Sequence, residues 1–294
     1  MNEKQKTLKP LFMWAGGKTR LIPKYAPFMP DLTALNHYAE PFLGGGAMFA
    51  HVGGSHPGIS ATLGEIKPEL CGLYRIVKEH PEELISALEP LEAKWAELAT
   101  KEVRKPWFYD LRKAYWSMPE GTVETVATLY FLMKTGFNGI WQTNQSSNGR
   151  FATPVGLANQ TKPVTDPALI RQWSKAMSHT DVMEQSYEHT EVRDGAFVFC
   201  DPPYRDSFTN YSGDFDDNAQ ASLVGWCREQ AEKHGALVWL ANRDAGDGFF
   251  HDLAGDAAIH QIPVVYTAGR RKKTDDGFEA KPATELLIIW DGRG

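Results

Sequence analysis

Short apolar runs separated by longer amphipathic segments indicate a chain that mixes strands and helices. The runs AFVFC and ALVWL are typical of buried strands. The segment YAEPFLGGGAMF has the pattern of a short strand that passes into a glycine turn and then a helix. Strands are therefore predicted at the start of 38–49 and at 58–66, 196–200, 236–240, 262–268 and 283–290.

The middle of the chain has a helical pattern. From Lys67 to about Leu132, apolar residues recur at spacings of three and four. Pro81 fits the start of a helix, and Pro90 predicts an interruption. Residues 142–165 are polar and rich in turn-forming residues, which predicts a loop or hairpin.

Strands alternating with helices at both ends of the chain, around a helical block, predict an α/β fold. We expect residues 1–67 and 166–294 to form a doubly wound, mainly parallel sheet domain, with a mainly helical insertion at 68–165. The last two predicted strands flank a polar, basic loop. They are therefore expected to pair as a terminal antiparallel hairpin.

Composition narrows the class of protein. The chain has 294 residues, 42% hydrophobic and 23% charged, which is ordinary for a globular protein. Its apolar runs fall short of the roughly 20 residues that span a bilayer, and its first ten residues are polar, so we expect a soluble cytoplasmic protein. The three widely spaced cysteines indicate core or incidental thiols, without the spacing of a metal site or a disulfide framework.

The net charge of −6 argues mildly against a nucleic-acid partner, because phosphate contacts favour basic surfaces. Local charge matters more than the sum, and basic residues concentrate at 104–116 and 270–273.

The segment MWAGGKT, residues 13–19, first suggests a phosphate-binding loop. Such a loop requires a glycine five positions before Gly17, where this chain has Phe12, and a buried strand before it. A nucleoside triphosphatase is therefore disfavoured.

A second glycine motif, EPFLGGGAMF, follows the first predicted strand. Glycines at such a turn allow the backbone to bend sharply and to approach a cofactor closely. Glu65 ends the next predicted strand about twenty residues later, where doubly wound folds place an acid that binds ribose hydroxyls.

The most specific motif is FVFCDPPYRDSF, residues 197–208. An apolar strand places Asp201 at the carboxyl edge of the sheet, where α/β folds bind ligands. Pro202 and Pro203 restrict the backbone and remove two N–H donors, and Tyr204 offers an aromatic face. The Asp201 carboxylate and the Pro202 carbonyl together suit an exocyclic amine, because both can accept hydrogen bonds from its N–H groups.

The motifs WAGGK, EPFLGGG, GFNG and DPPY, in this order, resemble the Dam-like (D12 class) family of DNA adenine-N6 methyltransferases, which use S-adenosylmethionine. The resemblance covers most of the chain, from about Leu11 to Trp290. It implies a catalytic group of Asp201, Pro202, Pro203 and Tyr204. It implies that S-adenosylmethionine is bound by Trp14, Ala15, Gly16, Gly17, Lys18, Glu40, Phe42, Gly44, Gly46, Glu65 and Asp201, with Trp14 and Lys18 at its methionine end.

The resemblance also implies a double-stranded DNA substrate whose target adenine leaves the stack. Residues 68–165 match the family's target-recognition domain in position, and 133–156 its DNA-reading hairpin. Phe137 and Asn138 match an aromatic–Asn pair that fills the gap left by the flipped base. Phe208 and Tyr211 match a loop that closes over the base, although they equally fit core aromatics.

The target site is expected to differ from GATC. Family members that read GATC carry an arginine where this chain has Gln142, and a basic residue where it has Met13. Arginine pairs with guanine, whereas glutamine pairs with adenine. The candidate base readers are Gln142, Asn144, Asn148 and Arg150, and the candidate phosphate contacts are Arg270, Arg271, Lys272 and Lys273.

Other functions remain open at this point. Cytosine-N4 methylation uses the same acceptors, RNA is an alternative substrate, and a catalytically silent DNA-binding regulator is a third alternative. The intact Asp201–Tyr204 motif disfavours the silent regulator. The sequence leaves monomer and homodimer undecided.

Overall fold

The structure is a computed structural model that describes residues 8–156, 158, 162–205, 215–266, 272–274, 277–279 and 281–293. Its described strands are β1 Tyr38–Glu40, β2 Ala61–Glu65, β3 Thr180–Glu184, β4 Phe197–Cys200, β5 Leu237–Arg243, β6 Ala258–Tyr266, β7 Lys272–Thr274, β8 Gly277–Glu279 and β9 Lys281–Asp291. Its described α-helices are α1 Ile22–Tyr25, α2 Ala47–Ser55, α3 Pro68–Glu79, α4 Pro81–Glu97, α5 Lys101–Tyr115, α6 Val123–Thr135, α7 Pro167–Ala176, α8 Asp217–His234 and α9 Phe249–Leu253.

The strands build a mixed, mainly parallel sheet. Seven of the described strands form it, in the order β3-β2-β1-β4-β5-β9-β6. Strand β1 pairs in parallel with β2 and β4, and β4 pairs in parallel with β5. Strand β9 runs antiparallel to both β5 and β6. The predicted fold class, with its terminal antiparallel pair, is confirmed.

Strand β4 lies in the centre of the sheet and is buried along its whole length. Helix α8 covers β4 and β5 with Leu223, Val224 and Cys227. Strands covered on both faces need apolar residues at successive positions, which is why both of these strands were recognisable as continuous apolar runs. The three cysteines are free and buried, as expected of core thiols.

The helical block between β2 and β3 is confirmed, with one local exception. Helix α4 continues through Pro90 from Pro81 to Glu97, so the predicted interruption is wrong. Proline removes one N–H bond. Leu84 and Leu88 before Pro90, and Trp95 after it, are buried, and their packing holds the helix together across the missing bond.

Strand β3 was not predicted from the sequence. Its sequence TDVME buries only Thr180 and Val182, and its other three residues are exposed, so it contains no apolar run. A half-exposed edge strand of this kind has a weak sequence pattern.

The chain divides into two compact units. One comprises Met1–Thr33, Gly44–Ile59 and Glu65–Glu184, and the other Ala34–Leu43, Ser60–Gly64 and Gln185–Gly294. The functional division at 68–165 stays a prediction. Within the described part of the chain, no helix has both the length and the apolar character to cross a membrane.

Candidate active site

The N-terminal motif forms a tight, glycine-dependent turn in the first unit. The Gly17 amide donates to the Trp14 carbonyl at 3.0 Å, and Gly16 adopts φ +85°. The Lys18 side chain folds back, and its Nζ donates to the Gly16 carbonyl at 2.9 Å. Lys18 is only 3% exposed, so the turn holds a buried cation.

The second glycine motif packs directly on this turn. A Cβ on Gly44 would lie 2.8 Å from Trp14 Nε1, and a Cβ on Gly45 would lie 2.4 Å from Trp14 Cβ. Gly46 adopts φ +62°, and a Cβ there would lie 2.7 Å from the Trp173 ring. The glycines are therefore required for contact with aromatic side chains, a reason for their presence that does not depend on a cofactor.

Glu65 ties the glycine loop to the end of β2. One carboxylate oxygen accepts the Gly44 amide at 3.0 Å, and the other accepts the Lys67 amide at 3.0 Å. Glu65 is 6% exposed, so both bonds are shielded from water. A carboxylate offers about four acceptor positions, which leaves capacity for the hydroxyls of a ligand.

Acidic groups gather where β1 and β4 end in the second unit. The Tyr38 hydroxyl donates to Glu40 Oε2 at 2.7 Å, and both residues are buried. Burial raises the pKa of Tyr38 well above its usual value, the charge of Glu40 adds to this, and Asp201 contributes more weakly. Phe42 stacks on Tyr187 with ring centroids 5.6 Å apart, which gives Phe42 a packing role.

Asp201 directly follows β4 and is half-buried, as the sequence predicted for an acid at the carboxyl edge of the sheet. Pro202 is buried, whereas Pro203 and Tyr204 are partly exposed. The Pro203 carbonyl accepts a hydrogen bond from Gln220 Nε2 at 2.7 Å. The turn after β4 is thus anchored by a side chain of α8.

Arg205 anchors the other end of the same turn. It pairs with both carboxylate oxygens of Asp217 at 2.7 and 2.9 Å and with Asp247 at 2.8 Å. Its guanidinium also lies 4.0 Å from the centroid of the Phe249 ring. Arginine placed between two carboxylates and an aromatic face is strongly restricted.

The GFNG segment forms a tight turn of the first unit that presents an aromatic side chain to solvent. Phe137 is 47% exposed, and Asn138 adopts the left-handed φ of 54°. The Gly139 carbonyl accepts the Ala15 amide at 2.9 Å, which joins this turn to the N-terminal motif. Met13, beside it, is 63% exposed. Exposed apolar side chains of this size suit a contact surface.

The segment after this turn doubles back on itself, as the hairpin prediction required. The Ala152 amide donates to the Gln142 carbonyl at 2.7 Å, and the Phe137 amide donates to the Pro154 carbonyl at 2.9 Å. The side chains of Gln142, Asn144 and Asn148 are exposed. The main chain is therefore fixed while three amide side chains face solvent.

Arg150 differs from these three amides. It is 7% exposed, and its Nη1 donates to the carbonyls of Tyr115 and Met118 at 2.7 and 3.0 Å. Its guanidinium also lies 4.1 Å from the centroid of the Tyr115 ring. This placement argues against base reading by Arg150 and makes it a support of the hairpin.

Some predicted residues lie outside the described part of the chain. These are Phe208, Tyr211, Arg270 and Arg271. Lys272 and Lys273 begin strand β7, which pairs with β8.

A family model for D12 class N6 adenine-specific DNA methyltransferases matches residues 14–268 of this chain. The chain belongs to this family. The Type II methyltransferase M1.LlaDCHI of Lactococcus lactis subsp. cremoris is 30% identical, over 91% of this chain and 92% of its own length. Type II methyltransferase M.MjaIII of Methanocaldococcus jannaschii is 29% identical over 96% and 99%, and DNA adenine methylase of Escherichia coli is 27% identical over 94% and 93%.

As a member of the D12 class, the protein is an adenine-specific DNA methyltransferase. The residues that hold the turn after β4 were not predicted from the sequence. Arg205 stands beside the Asp-Pro-Pro-Tyr motif, yet its partners Asp217 and Asp247 lie 12 and 42 positions away. Gln220 lies within a helix and belongs to no motif. Only the fold brings these residues to the turn.

Proposed function

We propose that this D12-class enzyme transfers a methyl group from S-adenosylmethionine to the N6 amine of an adenine that has left the stack of duplex DNA. The observation that carries the proposal is the Asp201-Pro-Pro-Tyr turn. It follows the buried central strand β4 and is anchored at both Pro203 and Arg205. A rigid turn at the carboxyl edge of an α/β sheet is well placed to act on a bound ligand.

Two acceptors of this turn act on the adenine amine. The N6 lone pair is delocalised into the ring, so the amine is a weak nucleophile. The Asp201 carboxylate and the Pro202 carbonyl accept hydrogen bonds from its two N–H groups and favour the tetrahedral nitrogen that can attack a methyl group. As the N–C bond forms, the methyl–sulfur bond of the donor would break, S-adenosylhomocysteine would leave, and one N6 proton would be lost to solvent. Because the turn is held in place, this electrostatic assistance requires little rearrangement. Tyr204 stacks on the base, a contact worth about 1–3 kcal/mol.

The first unit supplies residues that suit S-adenosylmethionine. Glu65 has a fixed carboxylate with acceptor capacity for ribose hydroxyls, and its bond to the Gly44 amide holds the glycine loop beside it. The buried ammonium of Lys18 suits the carboxylate of an amino acid. When bound, S-adenosylmethionine supplies a methyl group activated by a sulfonium. Trp14, Ala15, Gly16 and Gly17 line this part of the proposed site, and Glu40 and Phe42 are assigned to it by resemblance.

DNA contacts are assigned to the exposed turn and hairpin of the first unit. Removing the adenine from the stack costs a few kcal/mol, and the exposed Phe137 with Asn138 fills the gap it leaves. Gln142, Asn144 and Asn148 read base edges. Glutamine and asparagine pair with adenine, so we propose a recognition site other than GATC.

The first experiment is nucleoside mass spectrometry of duplex DNA incubated with the protein and S-adenosylmethionine. We expect N6-methyladenine from the wild-type protein and none from Asp201→Ala. The variant Asp256→Ala removes an exposed carboxylate elsewhere in the same unit and should keep full activity. N4-methylcytosine in place of N6-methyladenine would refute the adenine substrate, and methylation that survives in Asp201→Ala would refute the mechanism.

The proposed recognition site is tested separately by mapping methylated adenines in the DNA of an expression host that lacks its own adenine methylation. Methylation confined to GATC would refute the assignment based on Gln142.

A further inference from the structure

Two buried amide side chains form a hydrogen-bonded chain that ends on the catalytic turn. Asn242, in β5, donates from Nδ2 to Gln220 Oε1 at 3.0 Å. Gln220, in α8, donates from Nε2 to the Pro203 carbonyl at 2.7 Å. Asn242 Oδ1 accepts the Arg243 backbone amide at 2.8 Å. Both side chains are 0% exposed, so water does not replace these bonds.

The direction of this chain is determined at both ends. The Pro203 carbonyl can only accept, so Gln220 must present its NH₂ group to it. The Arg243 amide can only donate, so Asn242 must present its oxygen to it. The remaining bond, from Asn242 NH₂ to the Gln220 oxygen, is then the only arrangement that satisfies both amides. A chain with one possible polarity holds its members in one orientation.

The prolines explain why such a chain is needed. Pro202 and Pro203 have no N–H groups, so this part of the turn cannot be held by donating to the rest of the protein. Its main chain can be held only through carbonyl acceptors. Gln220 supplies the donor, and Asn242 fixes Gln220.

The residues near Gln220 and Asn242 in the chain are apolar and buried. Gln220 is followed in α8 by the buried Leu223 and Val224, and Asn242 follows Leu240 and Ala241, which are fully buried. Polar side chains are disfavoured among such residues unless they are hydrogen-bonded. We therefore expect buried amides at these two positions only if their hydrogen bonds stabilise the turn.

We propose that Gln220 and Asn242 are positioning residues for methyl transfer. By holding the Pro203 carbonyl, they fix the orientation of the peptide between Pro203 and Tyr204. This peptide lies between the Pro202 carbonyl, which accepts a hydrogen bond from the target amine, and the Tyr204 ring. This inference rests on the function proposed above for Asp201–Tyr204. Both side chains are fully buried, so they would act through the turn and not on the base.

The test replaces each amide by an apolar side chain of similar shape, in Gln220→Met and Asn242→Leu, singly and together. Misplacement of a catalytic group by about 1 Å can lower a rate about 100-fold, so we expect kcat to fall roughly 10- to 100-fold. The Kd for S-adenosylmethionine should change much less than kcat, because the variants leave the residues of the first unit that are proposed to bind it unchanged.

The double variant distinguishes one connected chain from two separate effects. If the amides act as one chain, breaking either bond disrupts it, and the double variant should be about as slow as the slower single variant. The matched control is Gln230→Met, which makes the same replacement at another buried glutamine of α8. It should keep the wild-type kcat.

A further variant provides a readout that a purely structural role would not change. In Gln220→Glu, the ionised carboxylate cannot donate to the Pro203 carbonyl, whereas the protonated form can. The ratio of its kcat to that of the wild type should therefore rise as the pH is lowered. If Gln220→Met fails to fold, Asn242→Leu and Gln220→Glu still carry the test.

Two results would overturn the inference. Folded single variants with kcat within threefold of the wild type would show that the chain does not position the turn. Losses in the single variants that multiply in the double variant would show that the amides act independently. Failure of the proposed function is recognised separately, because the wild-type protein assayed alongside would then form no N6-methyladenine.

Discussion

A methyl group added to Gly45 tests whether the two glycine motifs truly depend on each other. In Gly45→Ala the new Cβ would lie 2.4 Å from Trp14 Cβ and 3.0 Å from Trp14 Cγ. Ordinary carbon–carbon contacts are about 3.5–4.0 Å, so the first contact is too short by more than about 1 Å. Trp14 Cβ is bonded to the backbone and cannot rotate away. Relief therefore requires the main chain of one motif to move.

Inserting a methyl group into a packed site costs about 1–3 kcal/mol, and a clash that must be relieved by the backbone belongs in the upper part of that range. We expect Gly45→Ala to lower the free energy of unfolding by about 2–3 kcal/mol, which corresponds to roughly 4–12 °C in Tm. Denaturant titration and thermal unfolding measure this directly. Calorimetry with S-adenosylmethionine should show weaker binding, because the displaced loop also holds Gly44 against Glu65.

The matched control is Gly72→Ala, in helix α3 of the same unit. A Cβ there meets no atom within 4 Å. Because alanine is favoured over glycine within helices, this change should stabilise the protein by about 0.5–1 kcal/mol. Opposite signs for one chemical change would show that contact with Trp14, and not the loss of glycine, causes the effect. A Gly45→Ala protein as stable as the wild type, with unchanged cofactor affinity, would refute the reasoning.

Three further predictions concern DNA binding, cofactor binding and acid stability. Phe137→Ala should lower kcat/KM on duplex DNA about tenfold or more and affect single-stranded DNA less, because only the duplex must be opened; equal losses on both would contradict the wedge role. In Glu65→Gln, one of the two backbone amides that the carboxylate accepts, such as that of Gly44, would face an NH₂ group and lose its hydrogen bond. S-adenosylmethionine binding measured by calorimetry should weaken about tenfold or more, and an unchanged Kd would argue against a cofactor site at Glu65. The hydrogen bond from Arg205 lowers the pKa of Asp247 below its ordinary value of 3.8. The ionised Asp247 therefore stabilises the folded protein above pH 3.8, and this stabilisation is lost as the pH falls through the folded-state pKa of Asp247. In Asp247→Asn, the free energy of unfolding should consequently decrease less steeply with falling pH below about pH 4. An unchanged acid slope in urea titrations would contradict this.

The sequence predicted best those features that one segment expresses by itself. Strands β4 and β5 are covered on both faces and therefore read as apolar runs. The turn after β4 was predicted from Asp201 and two prolines, whose chemistry is local. The glycine turn was likewise recognisable from its sequence, whereas the ribose-binding role that its spacing gives to Glu65 stays a prediction.

Features that depend on distant partners were predicted poorly. Strand β3 is a strand because of its position in the sheet, although it lacks an apolar run. Arginine is a residue type that commonly reads bases. Arg150 is nevertheless buried, because it donates hydrogen bonds to the carbonyls of Tyr115 and Met118, which lie more than thirty residues away in the chain. Gln220 and Asn242 are ordinary polar residues in sequence and become a pair only when α8 packs on β5.

The N-terminal motif shows how one segment comes to support two proposed activities. Trp14 packs against Gly44 and Gly45 of the proposed cofactor loop. One residue later, the Ala15 amide binds the Gly139 carbonyl of the turn that carries the exposed Phe137, and a Cβ on Gly139 would lie 2.5 Å from the Met13 carbonyl oxygen. The short Cβ distances at Gly45 and Gly139 show that the backbones approach closely at both contacts. Because tightly packed interiors transmit displacement instead of absorbing it, we expect a shift of the turn proposed to contact DNA to move the backbone that supports the glycine loop. The segment that resembles a phosphate-binding loop therefore holds two loops of the same unit in a fixed relation, in addition to its proposed contacts with the cofactor.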